Sequence, residues 1–165
     1  MSDATRDDGL THLDERGNAR MVDVGAKPAA SRVAVATGQV VMAPTTAERL
    51  VRGDLPKGDA LPVVRIAGIQ AAKRTHELIP LCHQLALTSV DVEVEVDADS
   101  GLATITARVA AHDRTGVEME ALTAVSVAAL TLYDLVKAVQ RDVTITDVRL
   151  LAKSGGRSGE YHAGS

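Results

Sequence analysis

The sequence predicts an α+β domain in which a mainly antiparallel sheet is covered on one face by two long helices. Three observations predict it. The run Val90-Asp91-Val92-Glu93-Val94-Glu95-Val96 alternates apolar and acidic residues, the pattern of a strand with one buried face. A turn at Asp99-Ser100-Gly101 follows it, and alternation then resumes, as in an antiparallel hairpin. Over 117–139, Leu122, Val125, Ala129, Leu132, Val136 and Val139 recur at spacings of three and four, the buried stripe of a long helix.

The remaining elements follow in chain order. Residues 1–10 are polar and read as a disordered arm. The segment 31–42 is rich in β-branched residues and reads as a strand. Thr45-Thr46-Ala47-Glu48 matches a capping box, which predicts a short helix running to Arg52 and stopping at Gly53. After a turn-rich loop over 53–58 that holds Pro56 and Lys57, Asp59 is an acceptable N-cap for a long helix that Pro80 stops. The hairpin strands are expected over 85–97 and 102–111, and a last strand over 143–152. Residues 154–159 are too glycine-rich to be regular. The order strand, helix, hairpin, helix, strand is nearest to a ferredoxin-like arrangement. A single domain is expected over 11–160, with a flexible tail over 161–165.

A chain of 165 residues suits one core. Its hydrophobic content, 45%, is almost all Val, Ala, Leu and Ile, with no Phe or Trp and only Tyr133 and Tyr161, so each side chain buries little area and a homo-oligomer is favoured. A formal charge of −4 and the shortage of aromatic residues argue against a nucleic-acid partner. Cys82 is the only cysteine, which rules out an intramolecular disulfide and a Cys-x-x-Cys motif. The polar start does not read as a signal or anchor, and no run approaches about 18 apolar residues, so neither a membrane span nor a membrane partner is expected and the protein reads as cytoplasmic.

Several groups have chemical potential. Glu120, Asp134, Lys137 and Arg141 advance along the 117–139 segment by helical spacings and are expected to share a polar face. From the pattern alone, a solvated face with a weak Asp134 to Lys137 pair outweighs a site. The loop 79–83 carries His83 beyond a helix end, a place where an imidazole can act near neutral pH. Adjacent Cys82 and His83 cannot converge on one zinc ion without further ligands, so no metal site is expected, and a buried thiol beside a loop histidine is the simplest reading. Lys57, Lys73, Arg74, Lys137, Arg141, Lys153 and Arg157 fall at loops and helix ends where they could form a local anion site.

Particular strings then carry a resemblance. They are Met21-Val22-Asp23-Val24, Lys57-Gly58-Asp59, Arg65-Ile66-Ala67-Gly68-Ile69-Gln70-Ala71-Ala72-Lys73-Arg74-Thr75 and Leu78-Ile79-Pro80-Leu81-Cys82-His83. To these are added Thr115-Gly116-Val117-Glu118-Met119-Glu120-Ala121-Leu122-Thr123-Ala124, Tyr133-Asp134 with Lys137-Ala138-Val139-Gln140, and Val148-Arg149-Leu150-Leu151-Ala152-Lys153-Ser154-Gly155-Gly156. Together they resemble the cyclic pyranopterin monophosphate synthase family, the C protein of molybdenum cofactor biosynthesis, from about Leu10 to Glu160.

The resemblance implies a lyase with one ferredoxin-like catalytic domain, assembled as a hexamer of three dimers with active sites at subunit interfaces. It also implies a nucleotide-derived substrate, 3′,8-cyclo-7,8-dihydro-GTP, rearranged to cyclic pyranopterin monophosphate with release of pyrophosphate. Matching strings imply catalytic roles for Asp134, Lys57 and Lys137, and the chemistry adds His83 as a catalytic proton donor. Substrate-binding roles are implied for Leu81, Cys82, His83, Met119 and Glu120, and as further contacts for Lys73, Arg74, Lys153 and Arg157. No cofactor is expected, apart from magnesium that can accompany the triphosphate. The chemistry asks for proton shuttling and charge neutralisation, which lysines, a carboxylate and an imidazole supply. Lys57, Lys137, Lys153 and Arg157 are expected to converge on the departing pyrophosphate, with Asp134 either holding Lys137 or acting as base. A nucleotide-sensing module and a purely structural oligomer are the rivals.

Overall fold

The computed structural model describes residues 13, 14, 16–156 and 159–164; the expected arm at 1–10 and the candidate Arg157 lie outside the described residues. In chain order the elements are β1 (Ala30–Val41), α1 (Pro44–Arg52), α2 (Ala60–Ala72), α3 (Thr75–Leu78), β2 (Leu87–Asp97), β3 (Leu102–Asp113), α4 (Glu118–Val136), β4 (Thr144–Ser154) and β5 (Tyr161–His162).

The strands form one antiparallel sheet in the order β2-β3-β1-β4-β5. The α+β architecture with a ferredoxin-like arrangement is therefore the one expected. The β2/β3 hairpin sits on one flank, with Val92 and Val94 buried and Asp91, Glu93 and Glu95 exposed, so the alternation fixes the register that hides the valines. Tyr161 and His162, inside the span expected as a tail, pair with Lys153 and Ala152.

Helix α4 lies across β1, β3 and β4, and α2 packs beside it over β2. The contact is made by small side chains: Ala121, Ala124, Ala128 and Ala129 of α4 are fully buried, as are Ala34, Ala36, Ala103 and Ala107 of the sheet. Alanines on both surfaces let helix and sheet approach closely, and larger residues such as Val125, Leu132, Ile105 and Leu50 fill the space between. Among the described residues, α4 is the one helix long and apolar enough to cross a membrane, yet its apolar residues are mostly buried against sheet and α2, as in a core helix.

Three expectations are corrected. Thr45 does not cap α1: Pro44 begins the helix and puts Thr45 inside it, because proline's fixed φ suits the first helical position. Ala43 is the N-cap, and its backbone N–H donates to Gln140 Oε1 at 2.8 Å. Asp59 does cap α2, accepting from the Leu61 N–H, but the long helix expected up to Pro80 breaks after Ala72. There Arg74 N–H turns back to Ala71 O at 3.0 Å, and Thr75 Oγ1 donates to Ala71 O and Ala72 O, which occupies the carbonyls of the last turn. Finally, the polar face of α4 is not continuous: Glu120 is only 4% exposed, whereas Asp134 is half-exposed and Arg141 lies beyond the helix.

Candidate active site

Two groups of side chains stand at opposite ends of α4. At its C-terminal end is Asp134. Lys57, in the loop between α1 and α2, donates from Nζ to Asp134 Oδ2 at 2.6 Å and to the Asp134 carbonyl at 3.1 Å. Lys137, one turn on, lies 2.6 Å from Oδ1 through its Nζ. Each carboxylate oxygen thus takes its own ammonium. The Lys137 and Lys57 ammonium groups hold the Asp134 carboxyl down to about 2, and Asp134 in turn raises Lys137. Such a carboxylate is a poor proton acceptor near neutrality, and it leaves the cluster with an excess positive charge.

Local structure explains why the loop reaches the helix. Asp59 starts α2 immediately after the loop, and Gln140 ties the chain beyond α4 to the start of α1 through Ala43. Tyr133 donates from its hydroxyl to the Arg141 carbonyl at 3.0 Å, which folds the chain back under the end of α4.

At the N-terminal end of α4 lies a cavity of about 510 Å³. Lys27, Arg32, Arg114 and Lys153 line it, with Glu118 as the acidic residue of the lining. Arg32 is braced by the Asp113 and Arg114 carbonyls, to which Nε and Nη2 donate at 3.3 and 3.4 Å. A Cβ on Gly156, whose φ is +81°, would overlap the Arg32 guanidinium, so the glycine lets backbone and guanidinium lie together. Lys153 Nζ donates to Glu118 Oε1 at 2.9 Å.

Beside this cavity in sequence, Glu120 is buried, and its Oε2 meets no hydrogen-bond donor among the described residues. Burial raises its carboxyl to about 7; its own backbone N–H pulls the other way, and the charge of Glu118 adds to the rise. Cys82 is within electrostatic reach: burial raises its thiol, and the Glu120 charge raises it further. His83 Nε2 lies 2.8 Å from the Val22 carbonyl, which can only accept, so the ring carries its proton on Nε2 and Nδ1 is the nitrogen left for a ligand. Leu81 and Met119 are both exposed large apolar side chains.

The sequence profile of the MoaC family matches residues 21–156. The chain belongs to the MoaC family. Its relatives include proteins named cyclic pyranopterin monophosphate synthase from Parvibaculum lavamentivorans, 57% identical over 93% of this chain and 96% of the relative, and from Roseiflexus castenholzii, 62% identical over 92% and 96%. A third, from Streptomyces griseus, is 58% identical over 97% of this chain and 89% of its own.

In this MoaC family member the expected site residues divide. Lys57, Asp134 and Lys137 come together; Cys82 and Glu120 lie within electrostatic reach of each other elsewhere; and Lys153 joins Glu118. The expected convergence of Lys57, Lys137 and Lys153 does not occur within one chain, since Glu118 and Asp134 are about 24 Å apart along α4 at about 1.5 Å per residue. A lysine side chain cannot bridge that distance. Lys73 and Arg74 are exposed at the break after α2. Reading the sequence missed Lys27, Arg32, Arg114 and Glu118; the one available signal was Glu118, inside the string 115–124 but given no role. Among the described residues, no three His, Cys, Asp or Glu side chains converge in a way that could hold a metal ion.

Proposed function

We propose that the chain is a cyclic pyranopterin monophosphate synthase, a lyase of molybdenum cofactor biosynthesis that converts 3′,8-cyclo-7,8-dihydro-GTP to cyclic pyranopterin monophosphate and pyrophosphate. The observation that carries this reading is the Asp134 carboxylate clamped between Lys57 and Lys137. The names of the relatives support it.

Ring opening and pyran closure move protons, and closing the cyclic phosphate forms one P–O bond as the bond to pyrophosphate breaks. Two ammonium groups held by one carboxylate are preorganised for oxyanion stabilisation, because neither must be reoriented when charge develops. In this reading Asp134 orients lysines rather than accepting a proton, since its carboxyl is held near 2. His83 shuttles a proton through Nδ1, with Val22 fixing the ring. Glu120 Oε2, buried and short of a donor, suits the N–H groups of the guanidine-like edge of the substrate. The Lys27, Arg32, Arg114 and Lys153 cavity suits the triphosphate. No electron is transferred, so the reaction asks for no redox cofactor; magnesium travels with the triphosphate as part of the substrate.

The two ends of α4 enter one reaction only if two copies of the chain bring them together, so a cytoplasmic homo-oligomer with active sites between subunits belongs to the reading, and a hexamer of three dimers satisfies it. The decisive assay incubates the protein with 3′,8-cyclo-7,8-dihydro-GTP in single turnover and measures pyrophosphate. Stoichiometric release is expected. Binding without release would reduce the protein to a nucleotide-binding module.

A further inference from the structure

The cavity at the start of α4 sets several cations against a single kind of anion. Lys27, Arg32, Arg114 and Lys153 face it, and Glu118 is the acidic residue among those that line it. The Glu118 carboxylate is turned inward: Oε1 accepts from Lys153 Nζ at 2.9 Å, and a Cβ on Gly116 would overlap Oε2, so this pose relies on the glycine beneath it. Both side chains are 27% exposed. That is buried enough for the pair to be stronger than a surface contact, yet open enough for a ligand to reach it. An anionic group entering the cavity therefore finds Lys153 already engaged by a carboxylate. Polyphosphate oxygens and the Glu118 oxygens are alternative acceptors for the same ammonium.

We propose that Glu118 is an internal counter-anion of this cavity, holding Lys153 until a polyphosphate displaces it and reclaiming Lys153 when pyrophosphate leaves. The ligand class rests on the function proposed above; the competition itself rests on the geometry. Glu118 then lowers the affinity of every polyphosphate by the fraction of time that the pair is closed. A pair closed about nine-tenths of the time weakens apparent binding about tenfold. That weakening also prevents the product pyrophosphate from remaining in a strongly cationic cavity.

A purely structural ion pair, tethering the start of α4 to β4, predicts the reverse: without Glu118, Lys153 would lose its orientation and bind anions no better. The full chain, Glu118→Gln, Lys153→Met and the double variant are titrated calorimetrically with inorganic tripolyphosphate and pyrophosphate, and their thermal unfolding is recorded alongside. Glu118→Gln is expected to bind both anions about tenfold more tightly than the unaltered chain. In the Lys153→Met background the same substitution is expected to change affinity less than about twofold, because the contested ammonium is absent. Unchanged or weaker binding by folded Glu118→Gln overturns the proposal. So does an equal gain in both backgrounds, which would mean general repulsion rather than exchange at Lys153. Failure of the unaltered chain to release pyrophosphate from the cyclic GTP derivative would reject the proposed function while leaving this titration to stand or fall by itself.

Discussion

Glu118 and Asp134 stand on one helix about 24 Å apart along its axis, and each binds a lysine from a different part of the chain, Lys153 on β4 and Lys57 before α2. The helix is therefore a rigid spacer between a cation-lined cavity and a two-lysine cluster. The function proposed above asks both to serve one anionic substrate, and about 24 Å of helix separates them on a single copy.

It follows that the two clusters should complement between chains. Lys153→Met and Lys137→Met are each expected to lower pyrophosphate release about a hundredfold or more. Mixing the two inactive proteins under conditions of subunit exchange should recover a fraction of activity, since some interfaces then join two unaltered half-sites. Mixing Lys57→Met with Lys137→Met should recover nothing, because both lysines bind the same Asp134. Recovery in that second mixture, or none in the first despite exchange shown by mass spectrometry, would refute the composite site.

Asp134→Asn separates orientation from folding. The Asp134, Lys57 and Lys137 side chains are about half-exposed, so the pairs contribute little to stability, and the melting temperature should move by no more than about 2 °C. Turnover should nevertheless fall by about a hundredfold or more, since the amide cannot hold two ammonium groups. The folded-state carboxyl lies below its usual value of 3.8, at about 2; whatever stability the pairs contribute is present above 3.8 and disappears as pH falls through about 2. A melting profile of Asp134→Asn that matches the unaltered chain at pH 7 and differs in turnover alone is the expected result.

Glu120 has the opposite sign. Its carboxyl is raised from 4.5 to about 7, so the folded protein holds a proton there that the unfolded chain releases. Stability should therefore decline as pH rises from about 4.5 to about 7, and the penalty is complete above that. Glu120→Gln is expected to flatten this decline and to melt higher than the unaltered chain at pH 8, measured by calorimetry across that range. Turnover should drop together with a rise in KM, because the amide replaces one acceptor oxygen by an NH2 donor and removes the charge that draws substrate N–H groups. A pH-stability profile unchanged by the substitution would mean that Glu120 is charged and solvated in the folded protein.

Much of this fold was legible because it is local. Alternation over 90–96 placed β2, and the Leu122 to Val136 stripe placed α4, since burial imposes periods of two and 3.6. The errors came where local contacts overrule the pattern: Pro44 displaced the capping box at Thr45, and α2 breaks after Ala72, where Arg74 N–H turns back to Ala71 O and the Thr75 hydroxyl bonds the last-turn carbonyls, well before Pro80. In the site, Asp134 and Lys137 are visible as a helical i, i+3 pair. Lys57 is not, because its contact depends on how a loop crosses the fold. The cavity draws Lys27, Arg32, Arg114 and Lys153 from separate segments, and no spacing rule connects them. Helical spacing puts Glu120 on the polar face, since helical geometry says which side a residue takes but not what covers it.

Gln140 touches neither cluster. Its Oε1 accepts from the Ala43 N–H at 2.8 Å and so joins the chain beyond α4 to the N-cap of α1, the helix that leads into the Lys57 loop. Gln140→Ala leaves that partly buried N–H without its acceptor, a cost of about 1 to 3 kcal/mol. The melting temperature should fall by several degrees, about 2–4 °C per kcal/mol for a chain of this size. If the tie does more than stabilise, the Lys57 loop loses its fixed distance from Asp134, and kcat should fall about tenfold with KM little changed, since the cation-lined cavity lies at the far end of α4. Gln140→Glu keeps an acceptor oxygen at the same reach and should restore most of the rate. A lowered melting temperature with unaltered kcat would confine Gln140 to stability, and a loss of rate that Gln140→Glu does not repair would show that the acceptor at Ala43 is not what positions Lys57.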